Sequence, residues 1–356
     1  MNTPTYRTST ILFPTVKAMQ EGVKNRFDSV FYGRHGTPTT MALEEAVADL
    51  EGGYRSVSVP SGLSAIVASL LAFLKAGDHL LMVDTAYAPT RSLCKGFLAN
   101  YGIKTTFYDP MIGADIENLV TPETRVIFTE SPGSLTFEVQ DINAIANVAH
   151  KNNIKVLMDN TWSGGYFFKP FDHGVDVSIQ AATKYISGHA DVMIGHATVN
   201  KTDDWKAIKT TSASLGYCVG GDDAYLTSRG IRTLEVRLER HQENGFILAK
   251  WFKDRPEVKA VLHPAYSDCP GHEFWKRDFS GASGLFGVVL TGVSEEGIAT
   301  MLDGMELFRM GFSWGGFESL MIPTDPGTIR NETKWDTKGS YLRVHGGLED
   351  PEDLVS

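Results

Sequence analysis

Apolar residues fall along this chain in two alternating rhythms. From Ala42 onward, Leu43, Ala46, Val47 and Leu50 recur at helical spacing until Gly52-Gly53 ends the run. Ser56-Val-Ser-Val59 predicts a short strand, Pro60-Ser61-Gly62 a tight turn, and the apolar residues through Leu74 a helix. The alternation continues with a strand at 79–83, a helix at 90–101, strands at 103–108 and 126–129, a helix at 142–151 and a strand at 155–158. Two further strand-like runs follow at 175–179 and 192–199. Strands separated by helices join one sheet through right-handed crossovers, so the pattern predicts an α/β fold, a mostly parallel sheet with helices on both faces.

The texture then changes. Residues 222–254 read as one long connecting helix, weakened at Gly230. Strands at 285–290, 307–312 and 341–345, with a helix at 294–302, predict a smaller C-terminal α/β domain. The opening residues are only weakly periodic and suit an arm that packs on another subunit. The predicted organisation is therefore an arm at 1–34, a large domain at 35–231 and a smaller domain at 232–356.

Composition narrows the partners. A chain of 356 residues, 42% hydrophobic and 21% charged, can bury a core of this size. Its formal charge of -10 argues against binding nucleic acid, which needs a basic face. Cys94, Cys218 and Cys269 are too scattered for a disulfide framework or a zinc motif. The most apolar stretch, Leu63 to Leu74, is too short to cross a membrane, and the N-terminus lacks the order of a signal peptide. The expectation is a cytoplasmic protein without a membrane or metal partner.

Candidate chemistry collects at predicted strand ends. Strand 155–158 runs into Asp159, at the carboxyl end of a parallel strand, where open α/β sheets put their ligands. After Val177-Ser-Ile-Gln180 comes Ala181-Ala-Thr183-Lys184, a lysine among small and apolar residues. A buried amine and a carboxylate suit pyridoxal 5′-phosphate: the amine forms a Schiff base and the carboxylate keeps the pyridine nitrogen protonated. Ser61-Gly62-Leu63 at a helix start offers free amides for a phosphate, and Thr183 adds a hydroxyl. Each part has a plainer reading, as a helix cap, a turn residue or a surface charge. Their order and shared placement favour the cofactor. Dinucleotide and P-loop glycine motifs are missing, and His35, His189, His196 and His345 form no ligand set, so they read as packing or local hydrogen-bonding residues.

The residues resemble a known family, the Cys/Met-metabolism (transsulfuration) group of fold-type-I pyridoxal-phosphate enzymes. The resemblance rests on Tyr32-Gly-Arg34-His-Gly36, Ser61-Gly62, Thr85-Ala-Tyr87, Glu130-Ser-Pro132, Asp159-Asn-Thr-Trp162, Ala182-Thr-Lys184-Tyr-Ile-Ser-Gly188-His, Thr227-Ser-Arg229-Gly-Ile-Arg232, Gly315-Gly-Phe-Glu318 and Leu342-Arg343-Val-His-Gly-Gly-Leu-Glu349. Gln180-Ala-Ala-Thr-Lys184, Gly271-His-Glu-Phe-Trp-Lys-Arg-Asp-Phe279 and above all Ser313-Trp314 are most similar to its bacterial cystathionine β-lyase branch.

By that resemblance Lys184 is the cofactor lysine and proton shuttle, Asp159 the partner of the pyridine nitrogen, and Tyr87 the aromatic plane on the ring, with a further part in proton handling. Gly62, Leu63 and Thr183 are expected to hold the phosphate, joined by Tyr32 and Arg34 from a neighbouring subunit. Arg343 is expected to pair with the substrate α-carboxylate, and Ser313 and Trp314 to line the substrate site. The resemblance implies a homo-oligomer, a tetramer built as a dimer of dimers, acting on L-cystathionine or a related thioether to give homocysteine, pyruvate and ammonia. A γ-lyase or acylhomoserine sulfhydrylase is the alternative, and a non-catalytic homologue a more distant one. Ala181 stands where many members have Ser, and Phe312 where some β-lyases have Tyr. The end at Ser356, soon after Glu349, fits a portion of a longer protein.

Overall fold

The computed structural model describes residues 2–335 and 337–356; Met1 of the predicted arm and Asp336 of the predicted C-terminal domain lie outside the described residues. The strands are β1 (Arg55–Val59), β2 (His79–Val83), β3 (Lys104–Tyr108), β4 (Thr124–Glu130), β5 (Lys155–Asp159), β6 (Val177–Gln180), β7 (Gly195–Val199), β8 (Val258–Leu262), β9 (Leu285–Leu290), β10 (Leu320–Thr324) and β11 (Ser340–His345). The α-helices are α1 (Val16–Lys24), α2 (Pro38–Glu51), α3 (Gly62–Phe73), α4 (Ala88–Leu93), α5 (Ile142–Lys151), α6 (Thr202–Ser214), α7 (Gly221–Ile231), α8 (Leu234–Lys253), α9 (His272–Asp278), α10 (Glu295–Asp303) and α11 (Pro351–Val355).

One sheet runs in the order β1-β7-β6-β5-β4-β2-β3. Strands β2 to β6 are parallel to one another, and β7 runs antiparallel to both β1 and β6. Its central strands read as continuous apolar runs because helices cover both faces: Leu80 to Val83, Val126 to Phe128 and Val156 to Met158 are fully buried. The other sheet, β10-β11-β9-β8, is wholly antiparallel. Phe286, Val288, Leu342 and Val344 form its core with Leu248 and Phe252 of α8.

Three predicted elements differ. The helix expected at 222–254 breaks at Arg232-Thr233 into α7 and α8. There the Thr233 hydroxyl bonds the Gly230 carbonyl at 3.2 Å, and the Arg237 guanidinium reaches the same carbonyl at 2.8 Å, so the helical ladder is replaced by side chains. The helix expected at 90–101 is present but starts earlier, as α4, and passes through a widened π turn over Cys94–Leu98. Residues 307–312 form no strand; only an isolated bridge joins Arg309 to Leu320. Arg343 takes the carbonyls of Gly311, Phe312 and Ser313, leaving them for a side chain instead of a ladder. Strand β10 escaped the sequence pattern because it contains Pro323, tolerated at a sheet edge.

The two sheets are tied near the end of β2. Asp84 is fully buried, paired with Arg91 at 2.9 Å, and accepts the N–H groups of Asn331, Glu332 and Thr333 at 2.9 to 3.0 Å. These donors hold its carboxyl below the ordinary range against the penalty of burial. Removing one partner of a buried pair strands the other charge, so Asp84→Ala is expected to lower unfolding free energy by about 3–5 kcal/mol, read by chemical denaturation. A loss under about 1 kcal/mol would place this loop outside the cooperative unit.

Candidate active site

Parallel strands of the larger sheet deliver their carboxyl ends to one cleft. There β5 presents Asp159, and β4 presents Glu130 directly opposite it in register. The Asp159 carboxylate accepts the Thr161 N–H at 3.0 Å. Burial lifts its pKa above the ordinary range, opposed by the Thr161 bonds and the charge of Lys184. Glu130 is pushed well above its ordinary value, first by burial and then by Asp159. It receives the Tyr87 backbone N–H at 2.7 Å. Burial and their mutual repulsion thus both oppose ionising the two carboxyls together.

Lys184 follows β6 on a turn in which its N–H donates to the Ala181 carbonyl at 2.9 Å. Its Nζ donates to the Ser313 Oγ at 2.8 Å and stands 5.3 Å from the Trp314 ring centroid. Burial, reinforced by the Arg343 guanidinium and opposed by Asp159, pushes its ammonium down to about 8. An amine at that value is mostly ammonium at pH 7, but about a tenth is free base, far more than for an ordinary lysine, and that fraction can act as nucleophile and base.

Helix α3 begins beside this turn. Ser61 caps it, accepting the Ser64 N–H at 3.1 Å, so the first-turn amides of Gly62 and Leu63 have no acceptor within the helix. Tyr87, at the start of α4, is about half exposed at the cleft, its phenol held up by burial and by Glu130 and Asp159. The Thr183 hydroxyl donates to the Ile194 carbonyl at 3.1 Å and accepts the Ile194 N–H at 3.0 Å. It stitches the turn to the approach of β7, and a phosphate bond would need its proton turned away from Ile194.

From the smaller sheet, β11 brings Arg343. Its guanidinium spans the carbonyls of Gly311, Phe312 and Ser313 at 2.9 to 3.1 Å, and burial pushes it down to about 10. Tyr32 and Arg34 are not part of this cluster: Arg34 bonds the Ala213 carbonyl at 2.7 Å, and Tyr32 is exposed beside it.

Two residues were not singled out by sequence reasoning. Glu130 was visible only inside Glu130-Ser-Pro132; its hold on Tyr87 depends on strand register, which no local pattern announces. Glu51 ends α2 fully buried, and its Oε1 accepts from Ser178 at 2.5 Å, Gln180 at 2.9 Å and Asn160 at 3.3 Å. It thereby ties together the ends of β5 and β6 that carry Asp159 and Lys184.

The sequence profile of the family described as Cys/Met metabolism PLP-dependent enzyme matches residues 1–356. The chain belongs to this family. It is 44% identical to cystathionine beta-lyase MetC of Escherichia coli, over all of this chain and 92% of that protein. It is 44% identical to the cystathionine beta-lyase of Haemophilus influenzae, over 98% of this chain and 90% of that protein. The human cystathionine gamma-lyase stands further off at 33% identity, over 99% and 89%. The crystal structure of metB from Corynebacterium glutamicum superposes with a TM-score of 0.92 at 30% identity, covering 99% of this chain and 90% of that one. The fold is thus that of fold-type-I enzymes, and the cofactor is pyridoxal 5′-phosphate. The residues present fit that group. A Cβ on Gly62 would stand 2.5 Å from the Ala181 Cβ, so glycine alone lets the α3 amides press this closely on the turn that carries Lys184.

Proposed function

We propose that the chain is a carbon–sulfur β-lyase that converts L-cystathionine and water to homocysteine, pyruvate and ammonia. The observation that carries the reading is the Lys184 amine, softened to about 8 and held between Ser313 and Trp314. Pyridoxal 5′-phosphate supplies, when bound, an electron sink for the charge left at Cα. Every other task falls to side chains. Lys184 would hold the cofactor, then as a free amine take the Cα proton and return a proton as ammonium. Asp159 would keep the pyridine nitrogen charged, Tyr87 would cover the ring and, with its phenol protonated, hold a proton at the cleft, while Gly62, Leu63 and Thr183 would receive the phosphate. Arg343 would grip the α-carboxylate while Ser313 orients Nζ and Trp314 walls the thioether side from water.

The same reading makes the protein a homo-oligomer, a dimer of dimers in which Tyr32 and Arg34 complete a neighbour's phosphate site. The separation of these two residues from Lys184 within one chain supports this, as do Leu12, Val16 and Val23, which stand exposed along the arm. We assign the arm to 1–34, the large domain to 35–231 and the smaller one to 232–356. No described helix is long and apolar enough to cross a membrane, and three free cysteines accord with a cytoplasmic location.

The deciding experiment is incubation of the holoenzyme with L-cystathionine and identification of the keto acid. Pyruvate with homocysteine is expected; 2-oxobutyrate with cysteine would move the protein to γ-chemistry. Arg343→Lys keeps the charge and loses the two-pronged bond to a carboxylate. It is expected to raise KM about 30-fold, from roughly 2 kcal/mol of lost bonding, in steady-state kinetics. An unchanged KM would place the carboxylate elsewhere.

A further inference from the structure

Two residues after Arg343 on β11 comes His345, so both side chains leave the same face of the strand. It is fully buried. Its Nε2 accepts the Gly315 N–H at 3.1 Å, and its Nδ1 lies 3.1 Å from the Glu318 carbonyl. An amide N–H can only donate and a carbonyl only accept. Nδ1 must therefore carry the proton and Nε2 be bare, so one neutral tautomer satisfies both neighbours. Burial keeps the ring well below an ordinary histidine, and the facing His241, Arg343 and Lys184 disfavour its cation further. His241 and Tyr185 pack on it at ring separations of 5.1 and 5.9 Å.

Gly315 is where this reaches the chemistry. Its φ of +83° is a left-handed conformation, and a Cβ there would stand 3.1 Å from the Lys184 Cα and carbonyl carbon. The turn that contains it presents Ser313 to the Lys184 Nζ and Trp314 beside it. Strand β11 thus grips this turn at both ends, Arg343 by three carbonyls and His345 by the amide of Gly315.

We propose that His345 is a positioning residue that, by holding the Gly315 amide, fixes Ser313 and Trp314 against the Lys184 amine. The proposal rests on Lys184 as the cofactor lysine and not on which carbon–sulfur bond is cleaved.

Three substitutions separate its two bonds. His345→Gln places a carbonyl oxygen where Nε2 stood and keeps an acceptor for Gly315. His345→Asn reaches only the level of Nδ1, and His345→Leu fills space without either bond. The full-length protein is stripped of cofactor, and pyridoxal phosphate is added back at a series of pH values. Growth of the visible band of the lysine-bound cofactor then reports ionisation of the amine, with Lys184→Ala as the control that must lose the band. The Gln variant is expected to keep the wild-type midpoint. The Asn and Leu variants are expected to shift it down by about half a unit, roughly threefold in ionisation constant, because the ammonium loses the Ser313 oxygen. Wild-type midpoints in Asn and Leu, with or without a lower melting temperature, would overturn the proposal, as would a Gln variant shifted as far as Leu. A Lys184→Ala protein that still develops the band would instead overturn the cofactor assignment beneath it.

Discussion

Lys184→Ala is expected to lower turnover by about 10⁴-fold or more and to abolish the visible band of the lysine-bound cofactor while the chain stays folded. The size follows from two roles that fail together. Without the amine there is no covalent attachment, and no group remains beside Cα to take its proton. Among the described residues the other charged groups that act on the Lys184 amine are Arg343, which stays cationic, and Asp159, already assigned to the pyridine nitrogen. Stability should not suffer. Burial lowers the Lys184 pKa from 10.5 to about 8, so below pH 8 the folded protein carries an ammonium it would rather lose. Between about 8 and 10.5 the unfolded chain binds more protons, so this group makes stability rise with pH across that window. At pH 7 the cofactor-free alanine variant should therefore melt no lower than the wild-type protein. A variant that retained more than about a tenth of wild-type turnover would remove Lys184 from the chemistry.

Asp159→Asn carries the second largest effect. The amide fits the same space but bears no charge, so it cannot hold the pyridine nitrogen protonated. About 10³-fold in kcat is expected to be lost, close to 4 kcal/mol of barrier, with cofactor still bound. The same substitution should stabilise the protein stripped of cofactor. The folded pKa of Asp159 is raised, so its ionised form is disfavoured at every pH above the unfolded value, and stability is lost as pH rises through this range. At pH 7 the cofactor-free Asn variant should melt higher than wild type, and the advantage should fade under acid conditions. Full activity in this variant, or a lower melting temperature without cofactor, would contradict the account.

Much of this was legible in the residues because it is local. Strand-end Asp159 and Lys184, the Ser61-Gly62 helix start and the buried apolar strands β2, β4 and β5 all announce themselves within a few positions. What escaped depends on distant partners. The supposed strand at 307–312 fails because Arg343, about thirty residues on, claims its carbonyls. The break between α7 and α8 arises where Arg237 reaches back to Tyr185 and Gly230. Glu51 and Glu130 look like ordinary charges in sequence; only the assembled sheet brings one against Asn160 and Gln180 and sets the other beside Asp159. His345 read as a packing residue, and its two hydrogen bonds are visible only once β11 meets the Ser313–Gly315 turn.

The central claim is that one lysine of this chain holds the cofactor. Borohydride reduction of the holoenzyme, followed by proteolysis and mass spectrometry of the peptides, tests it without any substrate. A pyridoxyl-phosphate adduct confined to Lys184 is the expected result. An adduct on another lysine, with Lys184 unmodified, would contradict the account.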